Sequence, residues 1–159
     1  MSVTTTVESP NYLGRFTQKV DSSRRVVVPS RWLPAKTDEL GNPFEFTLVV
    51  WPAGNNGTCL RVLPPKQMDR LLAKIEELPD SDPRKAPQKR FIGANAMSAP
   101  VDKQGRIVLP EDMAATAGIG GEVVMLGCVD KFEMWSAEAS KTVQTSDSVV
   151  AKESLTMWG

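Results

Sequence analysis

A mainly β domain with short helices (α+β), made of two similar halves about a pseudo-two-fold axis, is the architecture expected of this 159-residue chain. Three observations predict it. Residues 20–29 read VDSSRRVVVP and residues 101–110 read VDKQGRIVLP, so one ten-residue phrase occurs twice at an offset of 81. Asp21 thereby aligns with Asp102, Arg25 with Arg106 and Pro29 with Pro110. Around each copy the apolar residues recur with the two-residue period of strands, and clusters of Gly, Asn and Pro punctuate them. Two copies are too few to stack into a solenoid, so they are read as halves of one domain of ordinary size.

Residues 1–11 are Ser/Thr-rich without periodicity and are expected to form a flexible arm. The first half, 12–64, opens with Tyr12-Leu13-Gly14, and the second, 91–136, with Phe91-Ile92-Gly93; both read as a strand entering a tight bend. Phe16, Gln18 and Val20 alternate with Thr17 and Lys19 as in a half-exposed strand. Asp21-Ser22-Ser23-Arg24 makes a turn because short polar side chains bond their own backbone two residues on. Gln104-Gly105 does the same with a glycine free to adopt positive φ. Residues 25–28 and 106–109 follow as strands β-branched on both faces, which suggests burial on two sides behind the leading Arg. Each copy is thus a hairpin with Asp at its tip and Arg at the start of its returning strand.

The proline closing each copy stands where a helix can begin. Residues 111–117 are acidic first and alanine-rich later, and Gly118 supplies a stop, whereas Pro34 cuts the counterpart at 30–33 short. Strands at 46–51 and 59–63, then at 122–127 and 131–135, complete the halves. Between them, residues 65–90 form a linking helix and loop: Met68, Leu71, Leu72, Ile75 and Leu78 make one apolar stripe after Pro64-Pro65, and residues 79–87 break it. Ser136 caps a last helix within 137–159, and Val149, Val150, Leu155, Met157 and Trp158 imply that the tail packs on something. All four tryptophans, Trp32, Trp51, Trp135 and Trp158, are read as packing residues.

Composition removes several chemistries. The chain has no histidine, which excludes histidine-based triads, imidazole metal ligands and histidine acid–base work, and two cysteines cannot complete a four-cysteine zinc site. Gly118-Ile119-Gly120-Gly121 lacks the Lys-Ser/Thr of a phosphate loop. Asp21 and Asp102 each have an Arg four residues on that holds them ionised and spoils them as acids. No enzyme activity, cofactor, metal or small-molecule substrate is expected. Cys59 and Cys128 suit reduced, packed thiols. The absence of a membrane-length apolar run and of a secretory signal predicts a cytosolic protein. Lys plus Arg and Asp plus Glu both total 19, yet basic residues gather between Arg15 and Arg31 and at Arg84, Lys85, Lys89 and Arg90, so the neutral total can hide a polarised surface. The second of these clusters reads as a solvated linker.

What the repeated turns offer is cations: Arg24 and Arg25 in one copy, Lys103 and Arg106 in the other. Two readings stay open from the residues alone. The Asp–x3–Arg pair fixes the turn as a local ion pair of small energetic value, or the guanidinium groups fork onto phosphates and guanine edges.

The chain resembles the MraZ family, whose members carry two swapped-hairpin repeats of the AbrB/SpoVT type. The features that match in order are Tyr12-Leu13-Gly14, the tips Asp21/Arg25 and Asp102/Arg106 with the proline after each, Cys59-Leu60-Arg61-Val62-Leu63-Pro64, the linking helix, and Phe132-Glu133-Met134-Trp135-Ser136. The resemblance covers about residues 12–140. It implies tandem repeats forming a pseudo-two-fold β-barrel, and a bacterial transcription factor, usually a repressor, of a division and cell-wall gene cluster that includes its own gene. It further implies a cytoplasmic, nucleoid-associated ring homo-oligomer on double-stranded DNA with short direct repeats. Asp21 and Asp102 would orient the tips, and Arg25 and Arg106, flanked by Arg24 and Lys103, would touch DNA. The chain departs from the pattern in three places. Ser23-Arg24 replaces Lys-Gly at the first tip, so that tip is expected to read DNA differently. Gly93 stands nine residues before Asp102 whereas Gly14 stands seven before Asp21, so a bulge is expected near 96–100. Pro34 shortens a helix. The competing function is a protein-interaction or assembly module on the same scaffold. Half of a toxin–antitoxin pair is a third, which the second copy argues against.

Overall fold

The computed structural model describes residues 11–34 and 41–159, so the expected arm lies outside the described residues except for Asn11. In chain order the strands are β1 (Arg15–Lys19), β2 (Arg25–Val27), β3 (Glu45–Pro52), β4 (Thr58–Leu63), β5 (Ala96–Pro100), β6 (Arg106–Val108), β7 (Glu122–Gly127) and β8 (Phe132–Trp135). The helices are α1 (Pro65–Glu76), α2 (Lys85–Asn95), α3 (Glu111–Thr116) and α4 (Ala137–Ser154), with 3-10 turns at Ser30–Trp32, Gly54–Asn56 and Leu155–Trp158. The chain is α+β and mainly antiparallel sheet, as the strand periodicity predicts.

The two copies exchange strands. A six-stranded sheet runs β1-β7-β8-β4-β3-β5, and β2 pairs only with β6 in a separate two-stranded ribbon. The strand before each turn thus joins the large sheet through the other half, β1 on β7 and β5 on β3. The strand after each turn pairs with its own counterpart, Arg25 opposite Val108, Val26 opposite Ile107 and Val27 opposite Arg106. No ladder joins β1 to β2 or β5 to β6, so neither copy is a self-paired hairpin and the swapped arrangement holds.

β5 follows β1 at the same offset of 81 and pairs with β3 in unbroken register from Glu45↔Pro100 to Val49↔Ala96. The expected bulge is therefore absent. Its premise fails because Phe91-Ile92-Gly93 lies in α2, not in a strand entering a bend. The counterpart of Gly14 is Asn95, which ends α2 by donating its side-chain amide to the Phe91 carbonyl at 2.9 Å.

One pseudo-axis passes between Val26 and Ile107 in the ribbon and between Arg61 and Glu133 where β4 meets β8. Val26, Val28, Ile107 and Leu109 point inward onto Phe46, Leu48, Leu60, Val62, Val123, Met125, Phe132 and Met134. Trp32 and Tyr12 fill the same core, and the Trp32 indole N–H donates to the Leu13 carbonyl at 3.0 Å. Fully burying each such side chain stabilises by about 1.5–3 kcal/mol, which is what holds the ribbon on the sheet. Burial is one-sided, however. Val27 and Val108 are 45% and 52% exposed, contrary to the two-sided burial expected from their branching. In strands only three residues long, the outward Arg at the first position commits the third to the same face.

Pro29 and Pro110 precede their helices and accept from the amides of Trp32 and Ala114. Gly118, at φ +67°, closes α3 as expected. The segment after α1 is not the loop anticipated to residue 90: α2 begins at Lys85 and tolerates Pro87 in its first turn. Ile75 and Ile92 bury jointly against Val49 and Leu63 on the outer face of the sheet. Acids and bases here pair on a solvated helical surface, so the segment is solvated as expected but helical from Lys85: Arg84 holds Asp82, Lys85 holds Asp80, and Lys89 reaches Glu76. Ser136 caps α4 through the amide of Ala139 at 3.1 Å. The tail does not pack on its own domain, because Val149, Val150, Leu155, Met157 and Trp158 are 61–80% exposed, and Trp158 is thus no packing residue within the chain.

Candidate nucleic-acid interface

Both turns are built on one carboxylate, with the same contacts in each copy. Asp21 Oδ1 accepts from the amides of Ser23 and Arg25 at 2.9 and 2.8 Å, and its Oδ2 accepts from Arg25 Nε at 2.9 Å. Asp102 Oδ1 accepts from the amides of Gln104 and Arg106 at 2.9 and 2.8 Å, and its Oδ2 from Arg106 Nε at 2.9 Å. Asx chemistry explains the local sequence, since only a short carboxylate reaches amides two and four residues ahead together. Donation from the Arg25 amide, followed by the Arg25 guanidinium and the Ser23 amide, holds the Asp21 carboxyl below its ordinary 3.8 despite some desolvation, and Arg106 and Gln104 do the same for Asp102. Both carboxylates are ionised at neutral pH and poor proton donors.

The fourth residue of each turn locks the copies together. Arg24 at φ +60° and Gly105 at φ +77° both take the left-handed conformation. Their carbonyls accept from the other copy, Arg24 from the Leu109 amide at 2.8 Å and Gly105 from the Val28 amide at 2.9 Å. Each turn therefore extends the ribbon ladder by one bond at either end, and the two tips are set rigidly relative to one another.

Arg25 and Arg106 emerge on one face. Directly opposed residues of an antiparallel pair, and residues two apart along a strand, share a face. The outer face of the ribbon therefore carries Arg25 and Val27 from β2 with Val108 and Arg106 from β6. The side chains of Arg25 and Arg106 are 39% and 26% exposed. Each spends Nε on its Asp; among the described residues the Arg25 Nη groups have no hydrogen-bond partner, and Arg106 Nη2 makes one 3.3 Å contact with Gln104 Oε1. The arginines are diagonal neighbours, about 7–8 Å apart by ladder geometry.

The remaining cations divide. Lys103 is exposed with no ion pair among the described residues, whereas Arg24 Nη1 lies 4.0 Å from Glu111 Oε2 of the other copy. Arg15 donates to Gln144 on α4, and Arg31 lies 5.7 Å from the Phe16 ring centroid, so the basic run between residues 15 and 31 does not form a continuous patch. Val27 and Val108 escaped the sequence reading. Their signal was the two-residue period counted from the outward Arg, which their branching masked. Burial first, then the Glu133 carboxylate, pushes the free thiols Cys59 and Cys128 up to about 12, which leaves them neutral and unreactive.

Comparison with known proteins supplies the lineage of this scaffold. The MraZ protein family model, described as antitoxin-like, matches residues 92–154. "Transcriptional regulator MraZ" of Leuconostoc citreum (strain KM20) is 30% identical over 139 residues, 86% of this chain and 90% of that protein. The chain belongs to the MraZ family. Other MraZ relatives agree: the Lachnoclostridium phytofermentans regulator is 32% identical over 80% of this chain and 82% of its own. The Caulobacter vibrioides regulator (strain NA1000 / CB15N) is 28% identical over 91% of this chain and 88% of its own. The MraZ family match starts within α2 and takes in the Gly105 turn; the first turn, with Arg24 in the glycine position, lies before it. Among the described residues no helix is long and apolar enough to cross a membrane.

Proposed function

We propose that this protein is a sequence-specific DNA-binding transcriptional regulator, a repressor of a bacterial division and cell-wall gene cluster that includes its own gene, working in the cytoplasm on the nucleoid. The observation that carries the reading is the single outward ribbon face bearing both Arg25 and Arg106, each held through Nε by its own Asp with guanidinium edges left to bond outward. Pre-set guanidinium groups suit phosphate oxygens and the O6/N7 edge of guanine. The naming of the relatives as transcriptional regulators supports the same reading. Lys103 and Arg24 add charge at the two tips, and Asp21 and Asp102 orient them. One protomer neutralises only a few phosphates, so useful affinity comes from several protomers of a ring engaging short direct repeats together. In a gel-shift assay with the DNA upstream of the gene, Arg25→Ala with Arg106→Ala abolishes binding and leaves the fold and the oligomer intact. Wild-type affinity falls with salt at a slope of about −0.9 per phosphate contacted. A double variant that shifts this DNA as well as wild type overturns the assignment.

The exposed apolar tail favours a second reading, an assembly module that does not read DNA. A stoichiometric protein partner recovered from nuclease-treated lysate, with no DNA enrichment by the wild type, selects it.

A further inference from the structure

We infer that the duplex read by this face carries thymines next to its guanines, and that Val27 and Val108 are the specificity-determining residues that detect the thymine methyl groups. The inference rests on the DNA-binding reading above and adds the base class that the arginines leave open. The outer face of the ribbon holds four side chains in a two-fold pattern, Arg25 opposite Val108 and Val27 opposite Arg106. Each couple joins a residue of one copy to a residue of the other. A two-stranded antiparallel ribbon is one of the few elements that the major groove of B-DNA admits. In that groove an arginine selects guanine, and the C5-methyl of thymine is the apolar feature among the base edges.

The two valines are placed for that methyl. They are about half exposed, Val108 on the rim of a groove that Leu33, Pro34 and Phe44 also line, while their neighbours Val26, Val28, Ile107 and Leu109 are wholly buried. Strand formation alone does not call for valine here, because threonine fills exposed strand positions as well without presenting two methyl groups to water. The tips confine the face further: the carbonyl locks at Arg24 and Gly105 fix the ribbon, so the valine methyls keep a constant offset from the guanidinium groups. Each protomer accordingly reads two guanine–thymine contacts related by the pseudo-axis through Val26 and Ile107.

The test uses the full-length protein and the duplex it enriches from a random-sequence library, remade with deoxyuridine in place of thymine at one position at a time. For wild type, removing a contacted methyl weakens binding about fourfold, the discrimination expected from burying one methyl-sized group. Val27→Ala with Val108→Ala binds the thymine and uracil duplexes equally and, having lost both contacts of a protomer, is weakened on the thymine duplex by about fourfold per contact, roughly sixteenfold in all. Val27→Thr with Val108→Thr, which keeps one of the two γ-methyls that alanine lacks, retains part of the preference. Wild type indifferent to uracil, an alanine variant that keeps the thymine preference, or an alanine variant that instead changes the oligomer size overturns the inference. Failure of the underlying reading looks different: no duplex is enriched at all, or Arg25→Ala with Arg106→Ala enriches the same one.

Discussion

Arg24 occupies a backbone position that its own repeat partner assigns to glycine, φ +60° against +77° at Gly105. For an L-residue this conformation costs roughly 1–2 kcal/mol, and its loose 4.0 Å approach to Glu111 returns little. Arg24→Gly is therefore expected to stabilise the fold by about 1 kcal/mol after the entropy of glycine in the unfolded chain is subtracted, raising the melting temperature by about 2–4 °C. At the partner turn Gly105→Ala acts the other way, since a Cβ there would also lie 3.2 Å from Leu33 Cδ1. The aspartates make a pH prediction. Because Arg25 and Arg106 depress the folded carboxyls below 3.8, their stabilisation is complete above that value and is lost as pH falls through the depressed midpoints. Carboxyl 13C titration by NMR should give both midpoints under 3.8, and a midpoint at or above it would contradict the turn geometry. These turns were readable in the sequence because every bond in them spans four residues or fewer. The left-handed state of Arg24 was not, since its own residue type argues against it.

The strands were legible as strands but not as partners. Periodicity located β1, β3, β4, β7 and β8 to within a residue or two, because a half-buried pleat imposes alternation wherever it pairs. Which strand pairs with which depends on backbone groups that every residue carries alike, so the residues alone gave only hairpins, and the swapped pairing was expected from the family resemblance, as the ladders have it. Ile107, wholly buried at the centre of the ribbon, holds both copies at once. Ile107→Ala should cost about 2–5 kcal/mol and, since the copies share one core, lower a single cooperative transition in thermal melts without creating a second. The residues 91–95 went wrong for the opposite reason. Their composition is ambiguous, and packing of Ile92 against Val49, Leu63 and Ile75 selects the helix.

Folding of the two halves is one event, because all the ladders that hold β1, β2, β5 and β6 cross from one repeat to the other. The pseudo-axis also shows what distinguishes this chain from two identical copies. Arg61 Nε donates to Glu133 Oε2 at 3.0 Å, Trp135 Nε1 donates to Glu133 Oε1 at 3.0 Å, and the Arg61 guanidinium lies 3.9 Å from the Trp51 ring centroid. A strict two-fold would set two arginines or two glutamates against each other at this spot. Fragments cut in the segment between α1 and α2 should therefore be poorly folded alone, avoid homodimers, and combine into a 1:1 complex with native circular dichroism; native mass spectrometry of the mixture checks the stoichiometry. Homodimers of either fragment as stable as the mixture would show that the axial charge pair does not select the partner.

The repeat, the two Asp turns, the positions of most strands and the four cations flanking the tips all follow from contacts between near neighbours in the chain, and could be read without coordinates. The exchange of strands, the common face of Arg25 and Arg106, the exposure of Val27 and Val108, and the joining of opposite charges at the axis depend on groups 81 residues or so apart. No local pattern encodes such distances; they were settled by which apolar faces could close one shared core.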